Sequence, residues 1–445
     1  MGKVFSVSVI TTVLYLVVSL LTLSDYGVSW DETIHFRRGQ AYLYFFLTGQ
    51  TNYDKLPNYN LQGTLGEPDN IPSPRRSYYQ NNTHNGEYFL KRDIGHPPLN
   101  GELAALSNYI FFQKLGLLSD IAAHHLFNIL ASSLLVFVIV FFAAETFGIF
   151  AGIVAFLSLV THPLFWSESH FNVKDPTEAA FFGATVWAFY RSLAKGNIRW
   201  LFTAIIFFTV ALGTKFNALF LFLIIIPYLL VRYRHNLRNL KKSYKFVSKP
   251  YIGLLLLGPF IVAGILVGTW PFLWQNFPGN FFKIINYYKE IGVGLRYQPD
   301  EFFILGFNSF PLQWILYTTP PLILILLGVG VVSAWINRNR KRCVTVLWLL
   351  WFIVPLLRVT IPGSVIYGGI RQILEFLPAM ALLAGLGAWQ IVEWRKKIAT
   401  RLQSSKNYLL TLTAQLGLIV VFIWPIFILI KMHPNQNVYF NSLIG

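Results

Sequence analysis

Two neighbouring acidic residues, Asp31 and Glu32, stand directly after the first long apolar run of the chain. They belong to the stretch SWDETIHFRRG, which also carries His35 and two arginines. Carboxylates and imidazoles can take up a proton during a reaction, and guanidinium groups can bind phosphate. The stretch also fits a helix capping box, with Ser29 as the cap and Glu32 three residues later. The two interpretations are compatible, because a capped helix is a rigid mount for Asp31.

Most other ionisable residues outside the basic loops also lie near the predicted outer ends of apolar segments. Few charges lie at the midpoints of those segments, where a proton or ion pump usually places ionisable groups. The pattern predicts an active site at the outer face of a membrane. The polar segments, in chain order, are WDETIH, KRDIGHPPLNGE, THPLFWSESHFNVKDP, GTKFN, PGSVIYGGIRQILE and HPNQNVYFN.

Several of these candidates also have an ordinary structural explanation. His96 taken alone is more often a hydrogen-bonded surface histidine than a ligand. Lys174 could extend to the phosphate headgroups of lipids, as interfacial lysines do. His124 and His125 are expected to be structural.

The elements that position these segments are predicted to be membrane helices. Hydrophobic residues make up 55% of the 445 residues and charged residues only 12%, where a soluble chain carries about 25% charged residues. Helices satisfy their backbone polar groups within lipid, and the apolar segments are too long and uniform for barrel strands. The fold class is therefore predicted to be an all-α polytopic membrane protein with about eleven transmembrane helices. The predicted segments are Val4–Leu23, Leu126–Ala144, Phe147–Trp166, Pro176–Leu193, Trp200–Gly213, Phe216–Val231, Tyr251–Phe272, Trp314–Ile336, Cys343–Leu357, Ile373–Val392 and Tyr408–Ile430.

The basic loops set the predicted orientation. Eleven spans with the N-terminus inside place the connections 191–199, 232–245, 337–342 and 395–406 on the cytoplasmic side, as the positive-inside rule requires. The net charge of +17 is explained in this way, and no nucleic-acid partner is expected. The first apolar run is expected to be a retained signal anchor, because no clean cleavage site follows it.

The chain is predicted to form one membrane-embedded domain over residues 1–445, with a first outer loop at 24–121 and a second at 273–312. Within the first loop, Ile34–Leu47 and Glu102–Leu115 fit amphipathic helices that lie on the membrane surface. The Asn-, Gly- and Pro-rich stretch between them is predicted to be loop. The single cysteine, Cys343, excludes an intrachain disulfide and a cysteine-based zinc cluster.

The order of the motifs resembles that of protein O-mannosyltransferases and of the wider C-type glycosyltransferase superfamily, family 39 and its bacterial members included. The resemblance begins with the acidic pair before His-Phe and with the element His96-Pro97-Pro98-Leu99. It spans nearly the whole chain. The further segments that carry it are HFNVKDP (170–176), ALGTKFNAL (211–219), YGGIRQILEFLPAMALLAGLG (367–387) and HPNQNVYFNSLIG (433–445).

The chain departs from the family pattern at several positions. Gln372 stands where relatives often have histidine, and Glu375 is unusual so early in its span. The two residues between Glu32 and His35 are a wider spacing than in the eukaryotic enzymes. The large outer domain of the eukaryotic enzymes is missing, which weakens the case for a protein acceptor.

The resemblance implies a polyprenyl-phosphate-linked sugar as donor. An acceptor hydroxyl attacks the anomeric carbon, the lipid phosphate leaves, and the configuration inverts. This chemistry needs a carboxylate base and fixed positive charge on the departing phosphate. The resemblance suggests Asp31 as the general base and Glu32 as the residue that orients it or binds sugar or acceptor. Asp175 is then a second acid near the sugar or acceptor.

For the donor phosphate, the resemblance suggests Lys174 and Arg371, with the hydroxyl of Tyr367 nearby. Arg37 and Arg38 are weaker candidates, because they could face lipid headgroups. Two roles remain open for His96, namely positioning the acceptor and binding a metal. Whether the protein uses a divalent metal as a cofactor stays open, since some relatives work without one. Its candidate ligands are Asp31, Glu32, His35, His96 and His170.

The expected partners are the polyprenyl-phosphate sugar donor, membrane lipids and an acceptor that is a glycan, a lipid or a protein. The expected location is a bacterial plasma membrane with the active site on the outer face. The alternative is a multi-span transporter or lipid flippase, which predicts paired repeats and broken helices with polar groups at mid-membrane. A non-catalytic scaffold would not explain six polar segments on one face.

Overall fold

The structure, a computed structural model, describes residues 1–57, 75–237, 249–292, 297–336, 342–401 and 407–444. Helices make up most of these residues, and a small antiparallel hairpin pairs β1 (Phe303–Ile304) with β2 (Phe307–Asn308). Short 3₁₀ turns at Phe216–Phe220, Gly369–Ile373 and Gln436–Val438 connect some of the helices. The helices are α1 (Gly2–Leu21), α2 (Glu32–Thr48), α3 (Gly86–Arg92), α4 (Leu99–Asn108), α5 (Asp120–Phe147), α6 (Ile149–Val160), α7 (Pro163–Phe171), α8 (Asp175–Lys195), α9 (Ile198–Thr214), α10 (Leu221–Leu237), α11 (Lys249–Gly268), α12 (Pro271–Gln275), α13 (Phe277–Gly292), α14 (Phe310–Thr318), α15 (Pro321–Ile336), α16 (Arg342–Thr360), α17 (Phe376–Arg401), α18 (Asn407–Val420) and α19 (Ile423–Lys431).

The chain is an integral membrane protein with several membrane-spanning helices. Within the described residues, seven stretches are long and apolar enough to cross a bilayer, and the bent pair α6 and α7 is an eighth candidate. The apolar helices α9 and α15 are shorter. Each of the predicted apolar segments overlaps a helix, so the all-α fold class is confirmed, whereas the count of eleven spans is not. The seven stretches are Gly2–Leu21, Asp120–Phe147, Phe216–Arg234, Lys249–Gly268, Cys343–Thr360, Phe376–Ile398 and Thr411–Lys431.

The segment predicted as a span at Phe147–Trp166 is not a single straight helix. Helix α5 runs on to Phe147 and ends at Gly148, whose φ of +99° is a conformation that other residues rarely adopt. Helices α6 and α7 then meet at an angle of 64°. Pro163 is the first residue of α7, and its missing backbone N–H prevents a continuous helix through this point.

Helix α17 lies at the centre of the helix bundle, between α6 and α15. A methyl group added at Gly387 would overlap the backbone carbonyl of Leu326 in α15. One added at Gly385 would overlap the carbonyl of Ala151 in α6. Small residues allow this close approach of helices in membranes. The turn Gly369–Ile373, which directly precedes α17, is therefore attached to a tightly packed element.

Helices α2 and α4 overlap the two segments for which amphipathic helices were predicted. Helix α4 ends at Asn108, and the chain continues through a π-helical turn at Tyr109–Lys114. The two helices pack so closely that a side chain at Gly39 would overlap the backbone of Gly101. Part of the predicted loop between them, residues 58–74, lies outside the described residues.

Candidate active site

An ion-pair network joins four of the six polar segments. The guanidinium of Arg371 donates from Nη2 to Asp31 Oδ2 at 2.8 Å and from Nη1 to Asp175 Oδ2 at 3.3 Å. The Nζ of Lys215 donates to Asp175 Oδ1 at 2.8 Å. The Nζ of Lys174 lies 3.9 Å from Asp31 Oδ2. The network therefore connects the start of α2, the start of α8, the end of α9 and the turn before α17.

The two acids of the network differ in exposure. The side chain of Asp31 is 33% exposed, whereas that of Asp175 is 1% exposed. Arg371, which bridges them, is 28% exposed. Asp31 and Arg371 therefore form the exposed side of the network, while the buried carboxylate of Asp175 binds Arg371 and Lys215.

The buried carboxylate of Glu32 fixes the position of Asp31. Its Oε2 accepts from the backbone N–H of Ser29 at 2.9 Å and lies 3.1 Å from His125 Nε2. Its Oε1 accepts from the backbone N–H of Val173 at 3.0 Å. The carboxylate half of the predicted capping box is thus present. The hydroxyl of Ser29 makes no reciprocal bond, being without a partner among the described residues.

Asn172 determines the local geometry around Lys174 and Asp175. Its Oδ1 accepts from the backbone N–H groups of both residues at 3.1 Å. Its Nδ2 donates to Asp175 Oδ2 at 2.9 Å and to Glu168 Oε2 at 2.6 Å. Because Pro176 then begins the first turn of α8, the backbone of this loop has little freedom.

The turn Gly369–Ile373, which carries Arg371, is held in place by hydrogen bonds to one of its backbone carbonyls. The backbone oxygen of Gln372 accepts from Lys215 Nζ at 2.8 Å, from Asn217 Nδ2 at 3.0 Å and from Arg358 Nη2 at 3.2 Å. The sequence marked GTKFN as a polar segment, yet it did not single out Lys215 or Asn217. The only sequence feature that could have identified these two residues is the occurrence of a cation and an amide at the end of an apolar helix.

The network contains more positive than negative groups. Lys174, Lys215 and Arg371 face the two carboxylates of Asp31 and Asp175. Burial lowers the pKa of Lys174, although Asp175 opposes this effect. Burial also disfavours the charged form of Arg371, but nearby carboxylates, that of Asp175 first, raise the pKa of this guanidinium. The excess positive charge suits an anionic ligand such as a phosphate.

A second cluster shows that Arg38 cannot be a phosphate or headgroup contact. Its buried guanidinium donates to Asp93 Oδ1 at 3.0 Å, to the carbonyls of His96 and Pro97 at 2.6 and 3.2 Å, and to His35 Nδ1 at 3.0 Å. All of these partners lie within residues 24–121, the predicted first outer loop. Arg38 therefore fixes the His-Pro-Pro-Leu element beside α2. Arg37 differs, because it is partly exposed and lies 3.4 Å from His84 Nδ1.

His35 and His96 are both neutral at physiological pH. Burial and the charge of Arg38 lower the pKa of His35 well below its usual value. Burial and the charges of Lys174 and Lys215 do the same to the pKa of His96. Their rings lie 6.4 Å apart, and the Nδ1 of His96 is 2.7 Å from the hydroxyl of Tyr288 in α13. His96 thus borders the network, and α13 covers that side of the site.

Tyr367 lies at the exposed edge of the site. Its side chain is partly exposed, and its ring lies 5.7 Å from that of Tyr297. Burial, and then the charges of Asp175 and Asp31, raise the pKa of its phenol. The hydroxyl therefore stays protonated at neutral pH and is available as a hydrogen-bond donor.

The structure places His170 apart from the network. Its Nδ1 lies 2.7 Å from the carbonyl of Trp166, its Nε2 lies 3.1 Å from Thr22 Oγ1, and its ring stacks on Tyr26. These contacts connect α7 to the end of α1. Nearby, Tyr26 holds the C-terminal tail, the residues after α19, by donating a hydrogen bond to Gln436 Oε1 at 2.8 Å.

The candidate metal ligands do not gather at one point. Among the described residues, no three His, Cys, Asp or Glu side chains are arranged to hold a metal ion. The carboxylate of Glu32 is already bonded on both oxygens, and His35 accepts from Arg38. The described residues therefore do not fit a divalent metal.

Comparisons with known proteins agree with the architecture. A family model described as dolichyl-phosphate-mannose-protein mannosyltransferase matches residues 95–262. No curated protein sequence matches the chain. The chain is similar in structure to ArnT from Cupriavidus metallidurans bound to undecaprenyl phosphate, with 17% identity, a TM-score of 0.56, and coverage of 96% of this chain and 72% of that one.

Two further solved structures share the fold. The apo state of the same ArnT has 16% identity and a TM-score of 0.54, over 95% of this chain and 72% of that one. The archaeal oligosaccharyltransferase AglB from Archaeoglobus fulgidus, in complex with an inhibitory peptide and a dolichol-phosphate, has 15% identity and a TM-score of 0.52. That match covers 97% of this chain and 56% of AglB. The resemblance found in the sequence is supported at the level of the fold, which the chain shares with ArnT and AglB.

Proposed function

We propose that the chain is a membrane glycosyltransferase that moves a sugar from a polyprenyl-phosphate donor to an acceptor hydroxyl, with inversion, at the outer face of the membrane. The observation that carries the proposal is the exposed Asp31 carboxylate bound to Arg371 within a network of excess positive charge. The structural relatives support the donor class, because they were solved with undecaprenyl phosphate and with a dolichol-phosphate.

In the proposed mechanism, Asp31 accepts the proton of the acceptor hydroxyl as the hydroxyl oxygen attacks the anomeric carbon. The bond between that carbon and the phosphate oxygen breaks, and the polyprenyl phosphate leaves with the electron pair. Arg371 and Lys174 bind the leaving phosphate, and Tyr367 donates a hydrogen bond to it. The attack and the departure take place on opposite faces of the sugar, so the configuration inverts. Asp175 is a positioning residue in this scheme, because it is buried.

The distribution of basic residues along α8, α9 and α17 supports a site at the outer face of the membrane. Helices α8 and α17 begin at the network and end in basic segments that include Lys195 and Lys396. Helix α9 runs the opposite way, from Arg199 near its start to Lys215 directly after its end. Basic residues favour the cytoplasmic side of short loops. The network at the other ends of these helices would then lie outside.

The test uses the purified full chain in lipid nanodiscs with a panel of undecaprenyl-phosphate sugars and a cell-envelope extract as acceptor. Release of free undecaprenyl phosphate is followed for the wild type and for Asp31→Asn. We expect the substitution to lower turnover about 10²-fold or more, since a general base contributes about 10²–10⁴. The matched control is Asp25→Asn, which removes an exposed carboxylate of the same loop.

One observation favours the alternative of a transporter or flippase. Helices α6 and α7 meet at an angle of 64°, as the two halves of a broken span or of a re-entrant loop do, and broken helices are typical of transporter binding sites. A wild-type protein that releases no undecaprenyl phosphate from any donor, yet moves labelled lipid-linked sugar across a vesicle membrane, would replace the transferase proposal.

A further inference from the structure

A buried ion pair outside the network joins the end of α16 to the start of α17. The Nη2 of Arg358, in the last turn of α16, lies 3.2 Å from Oε1 of Glu375, which directly precedes α17. The two side chains are 13% and 1% exposed. Charged side chains within membrane helices are costly and usually have a function. The proposed mechanism gives neither residue a role, so the pair calls for an explanation.

The guanidinium of Arg358 is enclosed by protein groups. The same Nη2 donates to the backbone carbonyl of Gln372 at 3.2 Å, and the central guanidinium carbon lies 4.8 Å from the ring centroid of Phe220. The contact with Glu375 is between charges only, because its carboxylate oxygens accept no hydrogen bond from the described residues. An arginine at the end of a membrane helix often extends to lipid headgroups. These contacts direct Arg358 into the protein instead.

A second contact between the same two helices supports the pair. The indole Nε1 of Trp351 in α16 donates to the backbone carbonyl of Glu375 at 2.8 Å, and its ring is fully buried. Trp351 lies about two helical turns before Arg358. Helix α16 therefore holds both ends of the segment 372–375, which directly follows Arg371.

The segment 372–375 is connected to the ion-pair network through one atom. The carbonyl oxygen of Gln372 that accepts from Arg358 also accepts from Lys215 Nζ at 2.8 Å. The same Nζ donates to Asp175, which accepts from Arg371 as well. A shift of this carbonyl would therefore displace both cations that bind Asp175.

The residues at this point depart from the family pattern. Gln372 stands where relatives often have histidine, and Glu375 is unusual so early in its span. A buried arginine requires a compensating negative charge, and Glu375 supplies it. The resemblance to the superfamily therefore does not imply this ion pair, which is a feature of this chain.

We propose that Arg358 and Glu375 are positioning residues for the transfer, an inference that rests on the proposed function. Arg358 holds the turn Gly369–Ile373 so that the guanidinium of Arg371 stays on Asp31 and faces the leaving phosphate. Glu375 supplies the counter-charge that keeps Arg358 in place. A misplacement of about 1 Å can cost about 10²-fold in rate, so a fixed turn is valuable for catalysis.

The first experiment separates positioning from stability. Arg358→Met leaves Glu375 as an unpaired buried charge, so it should lower both the melting temperature and kcat/KM for the donor. Adding Glu375→Gln removes the second charge. We expect the melting temperature to recover, whereas kcat/KM stays about tenfold or more below that of the wild type, because the Gln372 carbonyl still lacks its donor. A kcat/KM that recovers together with the melting temperature would show a purely structural role.

The matched control is an ion pair at the far ends of α5 and α8. The Nη1 of Arg191 donates to Glu145 Oε2 at 3.3 Å, and the side chain of Arg191 is 9% exposed. The same two substitutions, Arg191→Met and Glu145→Gln, should leave kcat/KM for the donor unchanged. A loss equal to that of the test pair would attribute the effect to packing in general.

The second experiment measures the affinity for undecaprenyl phosphate and needs no turnover. The full chain in nanodiscs is titrated as the wild type, as Arg358→Met with Glu375→Gln, as Arg371→Lys and as the combination of all three. If Arg358 acts through Arg371, the pair of substitutions weakens binding about tenfold in the wild type and has little further effect in Arg371→Lys. Independent effects that multiply would reject positioning through Arg371.

The outcomes separate this inference from the proposed function. A non-additive effect on undecaprenyl phosphate affinity, in a protein that turns over no donor, would keep the positioning of Arg371 and reject the transferase. Donor turnover with unchanged kcat/KM in the Arg358→Met and Glu375→Gln double variant would reject the positioning role alone.

Discussion

At the scale of single residues, Arg371 has the most consequential position, because it contacts two carboxylates through different nitrogens. A guanidinium can do this with fixed geometry, whereas an ammonium group is a single point of charge. Its partial exposure leaves part of the group open to a ligand. The same side chain therefore orients the proposed base and is available to the donor phosphate.

Arg371→Lys tests this double role. The shorter ammonium group cannot reach Asp31 and Asp175 together, so we expect kcat/KM for the donor to fall about 10²-fold, as for the loss of a fixed transition-state donor. Titration with undecaprenyl phosphate should show weaker binding. The control Arg37→Lys changes an arginine of α2 outside the network. Unaltered undecaprenyl phosphate affinity in Arg371→Lys would remove this arginine from the phosphate site.

The lowered pKa of Lys174 leads to a prediction of how activity depends on pH. Burial lowers the pKa of its ammonium group, so the positive charge is present below the lowered pKa and is lost as pH rises through it. We expect kcat/KM for the donor to fall on the alkaline side at a pH below the usual lysine value of about 10.4. The variant Lys174→Arg should move that decline to higher pH. An identical pH profile in the variant would show that another group titrates.

At the scale of elements, Arg38 and Asp93 hold together helices of the segment 24–121, which is predicted to be the first outer loop. Asp93 also accepts from the hydroxyl of Tyr42 and from the indole of Trp270, each at 2.7 Å. This arrangement joins α2, the His-Pro-Pro-Leu element and the start of α12. The described part of residues 24–121 is therefore packed around a buried ion pair.

Arg38→Met should destabilise this loop. Removing one partner of a buried ion pair leaves an unpaired charge, which costs about 3–5 kcal/mol. We expect a lower thermal unfolding temperature and faster proteolysis of the outer loop. Arg38→Met combined with Asp93→Asn should recover part of the loss. The exposed Arg92→Met serves as the control, and equal melting temperatures for the two single variants would refute the structural role.

At the scale of the whole molecule, the ion-pair network lies at the start of α8 and before the start of α17, and Lys195 and Lys396 lie towards the other ends of these helices. This separation agrees with the predicted orientation, in which the N-terminus is cytoplasmic. It also explains the high positive charge of the chain without a nucleic-acid partner.

The orientation can be tested by labelling single cysteines in intact cells. In a Cys343→Ser background, a membrane-impermeant maleimide should label Leu117→Cys, an exposed position of the first outer loop. It should label Lys195→Cys, at the basic end of α8, only after the membrane is permeabilised. The reverse pattern would place the candidate site on the cytoplasmic side.

The sequence by itself determined the membrane class and the helical elements, because apolar length and loop charge are local properties of the chain. It also indicated which polar segments would lie together, since motif order resembled a known superfamily. Asp31, Lys174, Asp175 and Arg371 were named from that resemblance, and the structure brings them into one network.

The tertiary structure decided which polar side chains face a ligand and which are held inside. Arg38 and Arg37 look alike in sequence, yet only packing shows that Arg38 is buried against Asp93. Lys215 joins the network through a contact with Asp175, which is 40 residues earlier in the chain. Such contacts depend on how the helices pack, and periodicity and composition do not specify that packing.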